Sequence, residues 1–321
     1  MYKSRWLIIG VAILAAAASS NETLYKTDPG PYDVRIIDEL TLNDAVQGRD
    51  VTLRVLYPDG AGPFPLVVYS TGAFCWPQMY DRVTTHWVSH GYVVITPNHL
   101  DSPNNAELRP DQLVGLLPSR LRDVSFVVDQ LDEISEEANI AGKIDQQRIA
   151  IGGHSFGAVI SMVKTGLYLK DEYKGSWGET YDARFQAAVL MSAPGPGMEQ
   201  MTENAYDGLS KPFIATGGTN DVGRVDPGEH ARAEWRTVAY QLAPPGDKYS
   251  AIVQDADHYL GGLICNPERG GEPDPEGVEI VRAMTTAFLD AYIKDDPAAL
   301  EFLKTADVSG RTDGRARFQH R

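Results

Sequence analysis

A chain of 321 residues, 43% of them hydrophobic, can bury one large core. Its formal net charge of −15 makes a surface that repels nucleic acid and anionic membrane, which excludes neither fold nor catalysis but weighs against both as partners. The same charge disfavours a polyanionic substrate unless a local basic patch offsets it.

The chain opens with Lys3 and Arg5 ahead of an apolar run, Trp6 to Ala18, that ends in small residues through Ser20. A short positive region, a short apolar region and an Ala-x-Ala-like end describe a secretory signal peptide over residues 1–20, cleaved after Ala18 or Ser20. The run is short for a membrane span, which needs ~20 apolar residues, so no stable membrane insertion is expected after cleavage; an uncleaved anchor is the alternative. No cysteine directly follows the run, which argues against a lipoprotein anchor. The expected location is therefore periplasmic or secreted. There the two cysteines, Cys75 and Cys265, are permitted one disulfide; two separate half-buried thiols are the other reading.

After an extended lead-in, Val34–Leu40 and Val51–Tyr57 suit two strands, and the cluster from Pro58 to Pro63 a turn. Leu66–Ser70 is a short continuous apolar run, as in a strand buried on both faces. Residues 79–90 suit a helix, Tyr92–Ile95 a buried strand, and 101–118 a long polar loop. Leu121, Val124, Val127, Val128, Leu131 and Ile134 recur at helical spacing, so 119–138 reads as one amphipathic helix. Arg148–Ile151 is a strand, Phe156–Leu169 a helix, and 170–183 a polar, aromatic insertion or lid. Strands follow at Ala187–Met191, Pro212–Thr216 and Tyr249–Val253, with helices over 228–242, 276–294 and 297–304. Strands alternating with helices predict a mostly parallel central sheet with helices on both faces. Residues 21–304 read as one domain, and 305–321, polar and aperiodic, as a loose tail.

Ser155 sits in Gly153-His154-Ser155-Phe156-Gly157, between a strand and a helix. A serine there occupies a sharp, strained turn. Small residues two before and two after it avoid a clash, and the hydroxyl points out at the carboxyl end of the sheet, near a helix N-terminus. A serine hydroxyl becomes a nucleophile only when a base takes its proton and a carboxylate orients the base. The strand from Phe213 runs into a loop holding Asp221, and the strand from Ala251 into a loop holding His258. The order Ser155, Asp221, His258 is the one this architecture needs. Asp226, Asp255 and Asp257 are neighbouring carboxylates; Asp221 is favoured because it directly follows the strand and its Gly-Gly turn.

Among the other histidines, His86 and His90 have metal-ligand spacing, but no glutamate follows His86 and no third ligand is evident. No metal or cofactor is expected. His99 ends a strand and reads as a structural hydrogen-bonding residue. His154 lies inside the turn, pointing away from the Ser155 side chain. An acyl-transfer site also needs donors for the oxyanion. These are the N–H of Phe156 and that of Ala73, in the loop after the early strand, with Phe74 as the alternative to Ala73. Phe74, Trp76 and Tyr80 are candidates for an apolar substrate wall, or for packing beneath the loop.

The runs Gly62–Gly72, Ser89–His99 and Arg148–Ala158 resemble the α/β-hydrolase fold, and within it platelet-activating-factor acetylhydrolases, dienelactone-hydrolase-like proteins and cutinase-like polyester hydrolases. Gly217–Asp221 and Asp255–Tyr259 are similar to that branch's acid and histidine loops. The resemblance covers roughly residues 50–295 and implies Ser155 as nucleophile, Asp221 as acid, His258 as base, and Ala73 and Phe156 as oxyanion donors. The chain departs from the family in having Thr71-Gly72 where His-Gly is usual, which leaves that loop's hydrogen bonding to be found. The expected activity is a serine hydrolase acting on a small-molecule or polymeric ester. An amidase or polymer-degrading enzyme with the same triad, and a non-catalytic binding protein on the same fold, are the alternatives. The sequence does not address oligomeric state.

Overall fold

The computed structural model describes residues 23–105, 115–169, 180–197, 201–222 and 233–321. The leader expected over 1–20 lies outside them, as do residues 106–114 of the polar loop, 170–179 of the insertion, and Asp226.

The chain begins with a hairpin, β1 (Val34–Asp44) against β2 (Arg49–Pro58). The next strands are β3 (Phe64–Ser70), β4 (Val93–Pro97), β5 (Ile144–His154), β6 (Ala187–Met191), β7 (Phe213–Gly218) and β8 (Lys248–Val253), and β9 (Ala316–His320) completes the set. They form one nine-stranded sheet in the order β1-β2-β4-β3-β5-β6-β7-β8-β9. From β4 to β8 all neighbours are parallel, and both ends are antiparallel.

Helices cover both faces, which is why the inner strands are apolar without alternation. Leu66 and Val68 of β3 face one core with Leu121 and Val124, while Val67 and Tyr69 face the other with Val83 and Trp87. The first core is closed by α2 (Leu116–Asp129), α3 (Leu131–Glu137) and α4 (Phe156–Lys164). The second is closed by α1 (Asp81–Ser89) and the long α6 (Pro275–Ile293); α5 (Ala239–Leu242) is a single turn.

Three helices differ from the sequence reading. The helix expected over 119–138 is two, broken at Gln130, whose φ of −108° and ψ of 17° leave the helical region. Leu131 and Ile134 stay buried across the break, so apolar periodicity could not register it. The helix expected to reach Leu169 stops at Lys164. Gly166 has φ 125° and passes so close to Gly208 that an added Cβ would lie 2.1 Å from its carbonyl oxygen. Of the helix expected over 228–242, the described part is a 3₁₀ turn, Ala233–Thr237, followed by α5.

The largest correction concerns 305–321, expected as a loose tail. After α7 (Pro297–Thr305), the chain forms the short α8 (Val308–Arg311) and then β9, which pairs antiparallel with β8 from Val253↔Ala316 to Tyr249↔His320. Ala316 is buried, the Phe318 ring stacks on Tyr249 at 5.9 Å, and Arg315 pairs with Asp274 and Glu276. An edge strand needs one buried face, and polar, charged residues on the rest discourage further pairing. Two apolar positions in five residues are too few to stand out as a period. Phe318→Ser is expected to cost ~1–2 kcal/mol and lower Tm by roughly 2–6 °C. An unchanged melting curve would mean that the strand is not docked.

Candidate active site

Ser155 lies where β5 hands over to α4, with φ 54° and ψ −115°, a backbone state costly for a residue with a Cβ. Two close approaches hold it there. A Cβ on Gly157 would meet the Ser70 carbonyl oxygen at 1.9 Å, and one on Gly153 would meet the Gly157 carbonyl at 2.3 Å. The elbow therefore requires glycine on both sides because β3 and α4 pass against it. Ser155 N–H donates to the Met191 carbonyl at 2.9 Å, tying the turn to β6.

Asp221 follows β7 through a turn closed by its own N–H on the Gly218 carbonyl. It is 1% exposed, and its Oδ1 accepts from His258 Nδ1 and from Arg236 Nε, each at 2.8 Å. Burial alone would raise the Asp221 carboxyl; the hydrogen bond and charge of His258, and the Arg236 guanidinium, outweigh it and hold the carboxyl below its ordinary value. The neighbouring acids have other work. Asp257 accepts from the N–H groups of Tyr259, Gly261 and Gly271, shaping the His258 loop. Asp255 takes part through its backbone, N–H to Thr219 Oγ1 and carbonyl from Asn220 Nδ2. The structure thus brings His258 to Asp221.

His154 is fully buried, and burial pushes it well below its ordinary pKa, so the ring is neutral. Its Nε2 lies 2.9 Å from the His258 carbonyl, which can only accept, so Nε2 carries the proton. Nδ1 then accepts from the Tyr80 hydroxyl at 3.0 Å, and that hydroxyl accepts from Gly72 N–H at 2.9 Å. One directed chain runs from the 71–74 loop through the elbow to the histidine loop. Tyr80 is 0% exposed and belongs to this chain; it is not part of a substrate wall, and its expected binding role is corrected. Phe74 is exposed, and Trp76 lines an open cavity of about 450 Å³ together with Met79, Leu263 and Ile264.

The 71–74 loop is held from α2. Arg120, 0% exposed, grips Asp101 through Nε–Oδ1 at 2.9 Å and a terminal nitrogen to Oδ2 at 2.8 Å. It also donates to the carbonyls of Thr71 at 2.6 Å and Gly72 at 3.0 Å. Asp101 Oδ2 accepts from Phe74 N–H at 3.1 Å. This engages the Phe74 amide, while Ala73 N–H has no hydrogen-bond partner among the described residues. Thr71 donates its hydroxyl to the Cys75 carbonyl. Beneath the loop, Ser70 Oγ meets His99 Nε2 and His99 Nδ1 meets Asp123, both at 2.8 Å. This second Ser-His-Asp chain is 0% exposed throughout, so it braces β3 against α2 and reaches no substrate. Cys75 and Cys265 form a disulfide, Cα–Cα 5.4 Å, that joins the 71–74 loop to the loop after His258.

Sequence reasoning missed Arg120, Asp101 and Arg236. Arg120 is a polar step in a helix read for its apolar face, Asp101 lies in a segment read as a polar loop, and Arg236 in one read only as a helix. Arg120→Met leaves Asp101 buried without its partner, and is expected to cost ~3–5 kcal/mol at neutral pH. Burial alone would raise the Asp101 carboxyl, but Arg120 holds it below its ordinary value. Its stabilisation is therefore complete above the unfolded carboxylate pKa and lost as pH falls through the depressed folded one. Urea unfolding at several pH values should show the gap between variant and wild type closing in acid; a pH-independent gap would contradict this assignment.

Residues 24–164 match the chlorophyllase family, a stretch that includes the 71–74 loop and Ser155 and ends before Asp221 and His258. No curated protein matches the chain. The match suggests a hydrolase acting on esters, in a family that the motifs alone had not singled out. With the mostly parallel nine-stranded sheet and its two helical layers, it agrees with the resemblance carried by the motifs: the chain has the α/β-hydrolase fold.

Proposed function

We propose that the protein is a secreted or periplasmic serine hydrolase that cleaves carboxylic esters through an acyl-enzyme. The observation that carries this reading is the 2.8 Å contact of His258 Nδ1 with buried Asp221, combined with Ser155 on a strained strand-to-helix turn. With Nδ1 engaged, Nε2 is the nitrogen left to take the Ser155 proton. Oγ then attacks the ester carbonyl, and the oxyanion sits on the N–H groups of Phe156 and Ala73. Collapse of the intermediate expels the alkoxide, which takes the proton from His258. Water, deprotonated by the same ring, then attacks the acyl-enzyme and releases the acid. Asp221 stabilises the imidazolium throughout, and Arg236 favours its remaining a carboxylate.

Phe74, exposed next to Ala73 in the chain, and Trp76, on the lining of the open cavity, offer apolar surface to an acyl or alkyl group. The leader pattern supports export, and the Cys75–Cys265 disulfide suits an oxidising compartment. Among the described residues no helix is long and apolar enough to cross a membrane.

The test is hydrolysis of p-nitrophenyl esters, from acetyl to dodecanoyl, by the wild type and Ser155→Ala. Turnover is expected in the wild type and reduced by roughly 10⁴-fold or more in a folded variant. The preferred chain length sizes the apolar wall. Activity retained in Ser155→Ala would sink the assignment, and a folded wild type silent across the series would favour an amide, a polymer or a binding role.

A further inference from the structure

A second cavity, of about 340 Å³, lies between α2, the end of α4 and the segment that leads into β6. Lys164, the last residue of α4, is on its lining. Ser155 precedes the first residue of the same helix, so the two lie about 13 Å apart along its axis.

Lys164 is 3% exposed, and no hydrogen bond or close ion pair to its Nζ occurs among the described residues. Two carboxylates share the cavity, but their oxygens are taken. Asp129 receives Arg184 on one oxygen at 2.8 Å and Arg122 on the other at 2.7 Å. Asp182 receives Arg184 Nε at 2.9 Å on Oδ1, and Arg184 and Ser125 on Oδ2 at 2.7 and 3.0 Å. Both guanidiniums are thereby engaged as well. A buried ammonium without a partner is costly, and burial lowers Lys164 to about 8, which still leaves it mostly charged at neutral pH. Leu117, Leu121 and Leu169 give the wall a hydrocarbon part, beside Ser125, Thr180 and Tyr181. One uncommitted positive charge beside leucine side chains matches a single negative charge on an aliphatic chain better than a multiply charged phosphate.

We propose that this cavity is a binding site for a small aliphatic monocarboxylate, its carboxylate on Lys164 Nζ and its chain against Leu117, Leu121 and Leu169. The site is separate from the Ser155 elbow and does not depend on the catalytic reading. The titratable and charged groups facing Lys164 are Arg122 and Asp129 from α2 and Tyr181, Asp182 and Arg184 from the segment before β6. Arginine and aspartate side chains do not titrate between about pH 7 and pH 9.5, so pH dependence in that interval reports the ammonium.

The experiment is calorimetric titration of the wild type, Lys164→Met and Ser155→Ala with sodium octanoate and sodium butyrate. Octanoate is expected to bind more tightly than butyrate, equally to wild type and Ser155→Ala, and at least roughly tenfold more weakly to Lys164→Met. Its affinity for the wild type should fall roughly tenfold or more between about pH 7 and pH 9.5 as the ammonium is lost. Should Lys164→Met not fold, the wild type alone decides: octanoate slows trinitrobenzenesulfonate labelling of Lys164 if it occupies the cavity. Octanoate binding untouched by Lys164→Met, binding lost in Ser155→Ala, no binding, or an unaltered labelling rate at Lys164 would each overturn the proposal.

Discussion

The neutral imidazole of His154 is the constraint on which the site depends. A buried ring that stays uncharged has one donor and one acceptor, and here both are spent in a single direction. The Gly72 amide reaches Tyr80, Tyr80 reaches His154, and His154 reaches the His258 carbonyl. The loop offering Ala73 and the loop offering His258 are therefore both set relative to the turn that holds Ser155. The Cys75–Cys265 bridge repeats that connection covalently. Under the proposed reading, groups aimed before the substrate arrives need no reorganisation as charge develops, which is where preorganised donors are most effective.

The opposite side of the Thr71–Phe74 loop is held by α2. Arg120 and Asp123 are three residues apart, so one helical face serves two braces. Arg120 with Asp101 fixes the loop carbonyls of Thr71 and Gly72, and Asp123 with His99 fixes Ser70 at the end of β3. Buried ion pairs of this kind contribute less to net stability than their contact distances imply, because desolvation opposes them. Their effect here is positional. The Thr71–Phe74 loop is held by an arginine from a neighbouring helix.

Much of this was legible in the sequence because the inner strands are short apolar runs and the elbow has a spacing that steric contact enforces. Ser155, Asp221 and His258 stand out because each follows such a run, and the fold brings His258 to Asp221. The braces were not legible. Arg120, Asp101 and Arg236 act through partners distant in the chain, and no local period marks a polar residue that will be buried. Tyr80 looked like surface for a substrate because it follows Phe74 and Trp76, yet its hydroxyl has two buried partners that only the folded chain supplies. β9 was hidden for the opposite reason: an edge strand hides its single apolar face among charges. Gln130 breaks a helix without breaking its apolar pattern.

The account makes one serine reactive and names the groups that make it so. The most direct measurement is reaction of the folded protein with a p-nitrophenyl alkylphosphonate, followed by peptide mapping of the adduct. The account predicts a single adduct on Ser155 in the wild type, and none over the same time in His258→Ala. An unmodified Ser155, or an adduct on another residue while Ser155 stays free, would contradict it.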